Sequence, residues 1–302
     1  MRAALIVATS LVVAATALAG SQPQPVETAV VATGAAPCGI VAARDGGLWV
    51  GVYGTGKVLR IDPSRGKVTT KVRVGRYACR VVVGPAAVWV TRDRAGELVR
   101  ISRGTGRLAR LEVGAGAFDV VLARGSVWVT SFDIGIIAEV DAATTRLRRI
   151  YKHGPNPAGL ASCAGRIWVG HGRDATFLTS IDPRTHRLRR VEVGTKNPGW
   201  PRCIRGEIWV TTSDSVLRVH ARSGEVLGRL RLGGTPAEAA GGPDGLVWVT
   251  DKERSLVHRV DPARVALVDS FPAGPGAYSL ARTGGAIWIT SFAGSDIRRY
   301  TP

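Results

Sequence analysis

Of the five histidines, His171 stands where chemistry is within reach, because it follows a short apolar strand and precedes Arg173 and Asp174. An imidazole in a polar loop can act as a general base or a ligand; ordinary loop hydrogen bonding is the plain alternative. His153, His186, His220 and His258 fall on outer strands, turns or third strands and read as incidental. Trp200, set between Gly199 and Pro201, is either an exposed aromatic anchor or a plug in a channel mouth. The chain carries no Gly-x-Ser-x-Gly, no His-Glu-x-x-His, no phosphate loop and no dinucleotide fingerprint.

The elements that hold these residues follow a strict period. Seven Ile/Val/Leu-Trp-Val/Ile tripeptides place Trp49, Trp89, Trp128, Trp168, Trp209, Trp248 and Trp288 at intervals of 40, 39, 40, 41, 39 and 40 residues. Each repeat runs through four short pieces rich in β-branched residues and bounded by Gly, Pro, Asp and Ser, such as Cys79–Gly84, Val88–Thr91, Leu98–Ser102 and Arg107–Gly114. These are strands joined by turns. Asp45-Gly46 and Asp244-Gly245 suit tight hairpins, and Asp62-Pro63, Asp182-Pro183 and Asp261-Pro262 mark strand exits. Four strands per period, seven times, predict an all-β, seven-bladed β-propeller with four-stranded blades. The tryptophans are expected in the second strand of every blade, filling the space between neighbours. The last repeat stops at Pro302 after three pieces, and Val26–Gly34 resembles the fourth. This N-terminal strand is expected to close the last blade, which makes 26–302 a single domain.

Residues 1–19 read as a signal peptide: Arg2, an apolar run from Ala3 to Leu18, and the small-x-small site Ala17-Leu18-Ala19. An uncleaved anchor is the alternative reading. Ser21 stands where a lipoprotein needs a cysteine. Residues 20–25 form a short lead-in. The mature protein is expected to be secreted, or periplasmic and cell-surface. Four cysteines in an exported chain suggest disulfides. Cys38 and Cys79 occupy nearly equivalent inner-strand positions of blades 1 and 2, and Cys163 and Cys203 those of blades 4 and 5. The repeat alignment favours Cys38–Cys79 and Cys163–Cys203; four small buried thiols are the alternative.

The chain has 41 Lys and Arg against 23 Asp and Glu, a formal charge of +18. Removal of residues 1–19 takes away only Arg2 and leaves +17. Much of the excess lies on the fourth strands, at Arg107 and Arg110; Arg146, Arg148, Arg149 and Lys152; Arg187, Arg189 and Arg190; Arg229 and Arg231. Such a belt could attract an anionic cell-wall polymer or membrane surface. It could equally protect strand edges and keep the protein soluble. Nucleic acid is a poor candidate partner for an exported protein, and aromatics do not interleave with these arginines as a stacking platform requires.

Ligands of propellers usually meet the face built by the loops into each inner strand and the loops joining second to third strands. Here that face carries Tyr77, Phe118, Asp119, Trp200, Glu238 and Tyr278, and also Tyr53, Phe132, Asp133, His171 and Asp251. Aromatic, basic and acidic groups around a central opening suit a small molecule or a peptide.

Gly-Pro-Asp-Gly-Leu-Val-Trp-Val-Thr-Asp at 242–251 and Leu-Trp-Val-Gly-Val-Tyr-Gly-Thr-Gly-Lys-Val-Leu-Arg-Ile-Asp-Pro at 48–63 resemble the streptogramin B lyase (virginiamycin B lyase-like) propellers and the related YVTN-type propellers. The resemblance covers all seven repeats. It implies a magnesium-dependent elimination that opens a cyclic depsipeptide, served by a histidine and a glutamate of one blade. In blade 6, Ala237 stands at the histidine position and Asp251 at the glutamate position. No other blade supplies a histidine there, which removes the expected base. The leading expectation is therefore a non-catalytic binding module, monomeric and without a cofactor, with Tyr77, Phe132, Asp133, Trp200 and Tyr278 on its ligand face. The alternative is a lyase with magnesium on Asp251 and His171 as base.

Overall fold

The computed structural model describes residues 23–302, so the expected signal peptide, its cleavage site and the alternative anchor lie outside the described residues. No helix among the described residues is long and apolar enough to cross a membrane. Among the described residues, twenty-eight strands form seven antiparallel four-stranded sheets, and a 3-10 turn at Asp93–Ala95 is the helical exception. The blades begin with inner strands Pro37–Ala42, Ala78–Val83, Ala117–Ala123, Pro157–Cys163, Trp200–Ile204, Pro236–Gly241 and Ala277–Thr283. We number them 1 to 7 in that order. Six blades use four consecutive strands. The seventh takes Val26–Ala32 as its outer strand, paired antiparallel to Asp296–Thr301, so the ring closes as the sequence implies.

Each of the seven periodic tryptophans sits in a second strand and is buried against the following blade. Trp168 packs with Ile208, Val210 and Leu217 of blade 5, and Trp288 of blade 7 packs with Leu48, Val50 and Leu59 of blade 1. Seven such clusters, one per blade interface, form the core. Burying an aromatic side chain of this kind contributes about 1.5–3 kcal/mol, and the period of the sequence is the period of these interfaces.

The residue two places after the tryptophan fastens neighbouring blades. The Thr91 hydroxyl donates to the Phe118 carbonyl at 3.2 Å, Thr130 to Ala158, Thr211 to Ala237, Thr250 to Tyr278 and Thr290 to Cys38. Blades 1 and 4 have Gly51 and Gly170 at this position. A Cβ there would lie 2.0 Å from the Cys79 carbonyl oxygen and 2.3 Å from that of Gly199, so the next backbone has moved into the space of the missing side chain. The interfaces without the threonine, blade 1 to 2 and blade 4 to 5, are the two that carry disulfides. Cys38–Cys79 and Cys163–Cys203 both form, with Cα separations of 4.9 and 5.4 Å. Two disulfides place the domain in an oxidising environment.

Candidate functional site

The pore is shaped by bulges. Six inner strands carry a register shift near their start, between Pro37 and Ile40 in blade 1 and at the matching places in blades 2, 3, 4, 6 and 7. A bulge re-aims a side chain that the regular pleat would direct elsewhere. The second bulged residue is Gly39, Arg80, Asp119, Gly159, Glu238 or Ser279, and in blade 5 the register puts Trp200 there. Glycine at two of these seven places makes room. A Cβ on Gly159 would stand 3.0 Å from the Trp200 ring, and one on Gly39 would stand 3.2 Å from Cδ of Arg80.

The charged members of this layer pair across the pore. Arg80 of blade 2 donates from Nη1 to Oε2 of Glu238 in blade 6 at 2.7 Å and to Oγ of Ser279 at 3.0 Å. Arg202 of blade 5 donates to Oε1 of Glu238 at 2.5 Å and to Oδ2 of Asp119 in blade 3 at 3.2 Å. Blades 4 and 1 join through their backbones, Leu160 N–H to Asp119 at 2.8 Å and Ile40 N–H to Ser279 Oγ at 3.3 Å. All seven blades thus meet in one polar network. Burial alone would raise the Glu238 carboxyl; Arg202 and Arg80 outweigh it and hold the group down at about 2. Burial alone would lower the Arg80 guanidinium, and its attraction to Glu238 raises it instead.

Above this layer lies an arc of rings. Phe132, Phe118, Trp200, Tyr278, Phe292, Tyr53 and Tyr77 follow one another with centroids 5.3, 5.0, 6.1, 5.3, 6.2 and 5.3 Å apart. All seven are half-buried. Trp200 and Tyr278 also cover the Arg80 guanidinium, at 4.3 and 4.8 Å from their centroids, so Trp200 lies in the pore as a lid over Arg80. Cations stand on the rim of the arc: Arg76 and Arg94 each 5.6 Å from the Tyr77 centroid, Arg173 5.5 Å from Phe132, and Lys252 4.2 Å from Phe292 and 5.1 Å from Tyr278. Burial, followed by the neighbouring Arg80, lowers the Lys252 ammonium below the ordinary lysine value.

The structure gathers Tyr77, Phe132, Trp200 and Tyr278 into this arc, with Asp133 exposed beside Phe132. It does not gather His171 and Asp251, which end the second strands of blades 4 and 6. His171 is fully buried. Its Nδ1 meets the Pro155 carbonyl and its Nε2 the Thr179 hydroxyl, each at 2.8 Å. Burial pushes its imidazole down to about 4. Asp251 is also fully buried. Its carboxylate accepts from the Arg254 backbone at 2.9 Å, the Arg254 guanidinium at 2.8 Å and the Thr235 backbone at 3.3 Å. Burial would raise that carboxyl; these hydrogen bonds hold it below the usual range.

Sequence reasoning did not single out Arg80, Arg202 and Ser279. The signal was present as a lone charge inside an apolar inner strand, in Cys79-Arg-Val-Val-Val and in Pro201-Arg-Cys-Ile. The arginine belt is partly neutralised. Arg110, Arg148, Arg190 and Arg231 pair with Glu97, Asp141, Glu192 and Asp214, whereas Arg107, Arg146, Arg149 and Arg187 have no carboxylate partner among the described residues.

No protein-family model matches the chain, and no curated protein matches it in sequence. Solved structures do match in fold. The virginiamycin B lyase of Staphylococcus aureus superposes with a TM-score of 0.81 at 15% identity, covering 92% of this chain and 100% of that one. A chain of the hydrazine synthase of Kuenenia stuttgartiensis gives 0.78 at 15%, covering 91% and 98%. A chain of a mitotic checkpoint complex gives 0.81 at 10%, covering 100% and 99%. Three unrelated activities on one architecture locate function in side chains rather than in the fold, and the likeness establishes that this chain is a seven-bladed propeller built like the virginiamycin B lyase.

Proposed function

We propose that this protein is an exported, non-catalytic binding module whose ligand face is the aromatic arc around the pore mouth. The observation that carries the reading is the unbroken run of seven half-buried rings with cations on its rim. Rings of this kind offer large apolar contact at low entropic cost, and rim arginines and a lysine favour anionic or π-rich ligands. The ligand class that fits is a small molecule or short peptide carrying negative charge.

The alternative chemistry needs magnesium, and the residues present do not fit it. Magnesium takes oxygen ligands in a near-octahedral arrangement. The oxygens of Asp251 already accept three hydrogen bonds from Arg254 and Thr235, and no group of three or more His, Cys, Asp or Glu suited to a metal occurs among the described residues. His171 has both nitrogens engaged away from Asp251.

Thermal unfolding of protein starting at residue 20 tests the reading, with magnesium, a cyclic depsipeptide plus magnesium, and an anionic wall polymer at two salt levels. A ligand of the folded state raises the midpoint by mass action. The reading expects an upward shift with a charged ligand that disappears in Tyr77→Ala and Phe132→Ala, both of which keep the ion network. Magnesium-dependent opening of the depsipeptide, abolished by Asp251→Ala, would establish the lyase instead. A polymer shift that survives both aromatic substitutions and vanishes at high salt would move binding to the arginine belt.

A further inference from the structure

The outer corner of blade 2 holds a cavity of about 430 Å³ lined by Arg100, Ser102, Thr105, Arg107, Leu108 and Ala109. Two arginines and two hydroxyls meet there without a carboxylate. The corresponding corner of blade 1 is lined by Arg60 together with Asp45 and Asp62. The repeats show how blade 2 comes to differ.

In the third strand, the residue opposite the tryptophan is Arg60 in blade 1, Arg100 in blade 2 and Arg259 in blade 6. Arg60 and Arg259 pair with Asp45 and Asp244, at 3.4 and 3.2 Å, from the hairpin between first and second strands. In blade 2 that hairpin, residues 84–87, is one residue shorter and reads Gly-Pro-Ala-Ala, so Arg100 finds no acid there. A second acid is missing two residues further on. The third strand ends in Asp62, Asp141, Asp182 and Asp261 in blades 1, 3, 4 and 6, but in Ser102 in blade 2. Each of these aspartates accepts the backbone N–H groups two and three residues later, as Asp141 does from Ala143 at 2.9 Å and Thr144 at 2.7 Å. The matching N–H groups of Gly104 and Thr105 have no acceptor among the described residues.

Arg100 is half-buried, and its Nε is enclosed without a partner. Its Nη1 and Nη2 reach the surface and make no hydrogen bond among the described residues. Arg107 beside it is exposed and equally unpaired. A partly desolvated charge without a counter-charge is costly, and an anion from solution can supply one.

We propose that this corner of blade 2 binds a phosphate group, which takes the place of the two missing carboxylates. Its oxygens accept from the terminal nitrogens of Arg100 and Arg107, the hydroxyls of Ser102 and Thr105, and the N–H groups of Gly104 and Thr105. Guanidinium forks match phosphate geometry, and successive turn N–H groups form an anion-binding hollow. The site lies at the opposite end of the strands from the aromatic arc and is independent of it.

Isothermal titration of the purified protein at low salt tests this, with inorganic phosphate, glycerol 3-phosphate, acetate and a poly(glycerol phosphate) polymer. The two small phosphates should bind about tenfold more tightly than acetate, which can engage fewer of the donors. Ser102→Asp restores the residue that four other blades carry and places a carboxylate beside both arginines. It should weaken phosphate by about tenfold without lowering the unfolding midpoint. Arg107→Gln should also weaken it, whereas Arg187→Gln, which removes the same charge from blade 4, should leave the affinity unchanged. Absence of phosphate binding at millimolar concentration, equal binding of acetate, unchanged affinity in Ser102→Asp, or an equal loss in Arg187→Gln would each overturn the proposal. Polymer binding with no response to the small phosphates would overturn it too and assign the interaction to the arginine belt as a whole. None of these results bears on the aromatic arc, which Tyr77→Ala and Phe132→Ala report separately.

Discussion

Glu238 holds two arginines at once, which makes it the most exposed point of failure in the pore. Replacing one partner of a buried ion network leaves the other charges uncompensated and costs about 3–5 kcal/mol. Glu238→Gln should therefore lower stability by about that much in urea unfolding. The carboxyl also sets an acid limit. Its folded value lies near 2 against an ordinary 4.5, so its contribution is complete above pH 4.5 and is lost as pH falls through about 2. His171 acts at milder acidity. Its folded value is near 4 against 6.5, so as pH falls below 6.5 the unfolded chain takes up the proton first. Stability should be greatest above pH 6.5 and decline by about 3 kcal/mol by pH 4. His171→Gln should flatten that slope, and equal slopes in the two proteins would contradict the buried, neutral imidazole. The sequence made the aromatic members of the mouth legible, because Tyr77, Trp200 and Tyr278 stand in loops where no core demands a ring. It hid the ion network, because pairing across a pore joins residues such as Arg80 and Glu238 that are 158 positions apart.

At the scale of the strand, one position distinguishes two kinds of blade interface. Trp-Val/Ile-Thr interfaces are held by a hydroxyl, whereas the two Trp-Val-Gly interfaces bring the backbones together and add a disulfide. Gly51→Ala should destabilise the folded protein by about 1–3 kcal/mol, because its Cβ cannot stand 2.0 Å from the Cys79 carbonyl. Removing Cys38–Cys79 as a pair of alanines should cost about 4 kcal/mol on a chain-entropy estimate, since the bond spans 41 residues. Midpoints with and without reductant, in wild type and in the variant, check this. Both the cysteine pairing and the glycine substitution can be read from the sequence. Their coincidence is visible only when the repeats are aligned on the tryptophans, because the link between them is an interblade distance.

For the whole molecule, the fold was legible almost entirely from the seven evenly spaced tryptophans, because each is buried at one interface and the interfaces repeat. The closing strand was legible too, since three pieces at one end and one at the other complete a blade. Protein beginning at residue 33 should leave the edge of Asp296–Thr301 unpaired and the exposed strand ready to pair with another chain. Size-exclusion chromatography should then show aggregates where the longer protein elutes as one species.

The ion network also bears on time. Repeat proteins whose units touch only their neighbours can form and lose structure unit by unit. Arg80 of blade 2 and Glu238 of blade 6 meet across the pore, so their pairing waits until the blades between them are in place. Contacts of that kind are absent while the chain is still climbing its barrier, and they act as a brake on the way out. In stopped-flow experiments, Glu238→Gln should speed unfolding by the full loss in stability and leave the refolding rate almost unchanged. The protein would then owe its lifetime less to its seven hydrophobic interfaces than to one charged bridge, from blade 2 to blade 6, that closes late.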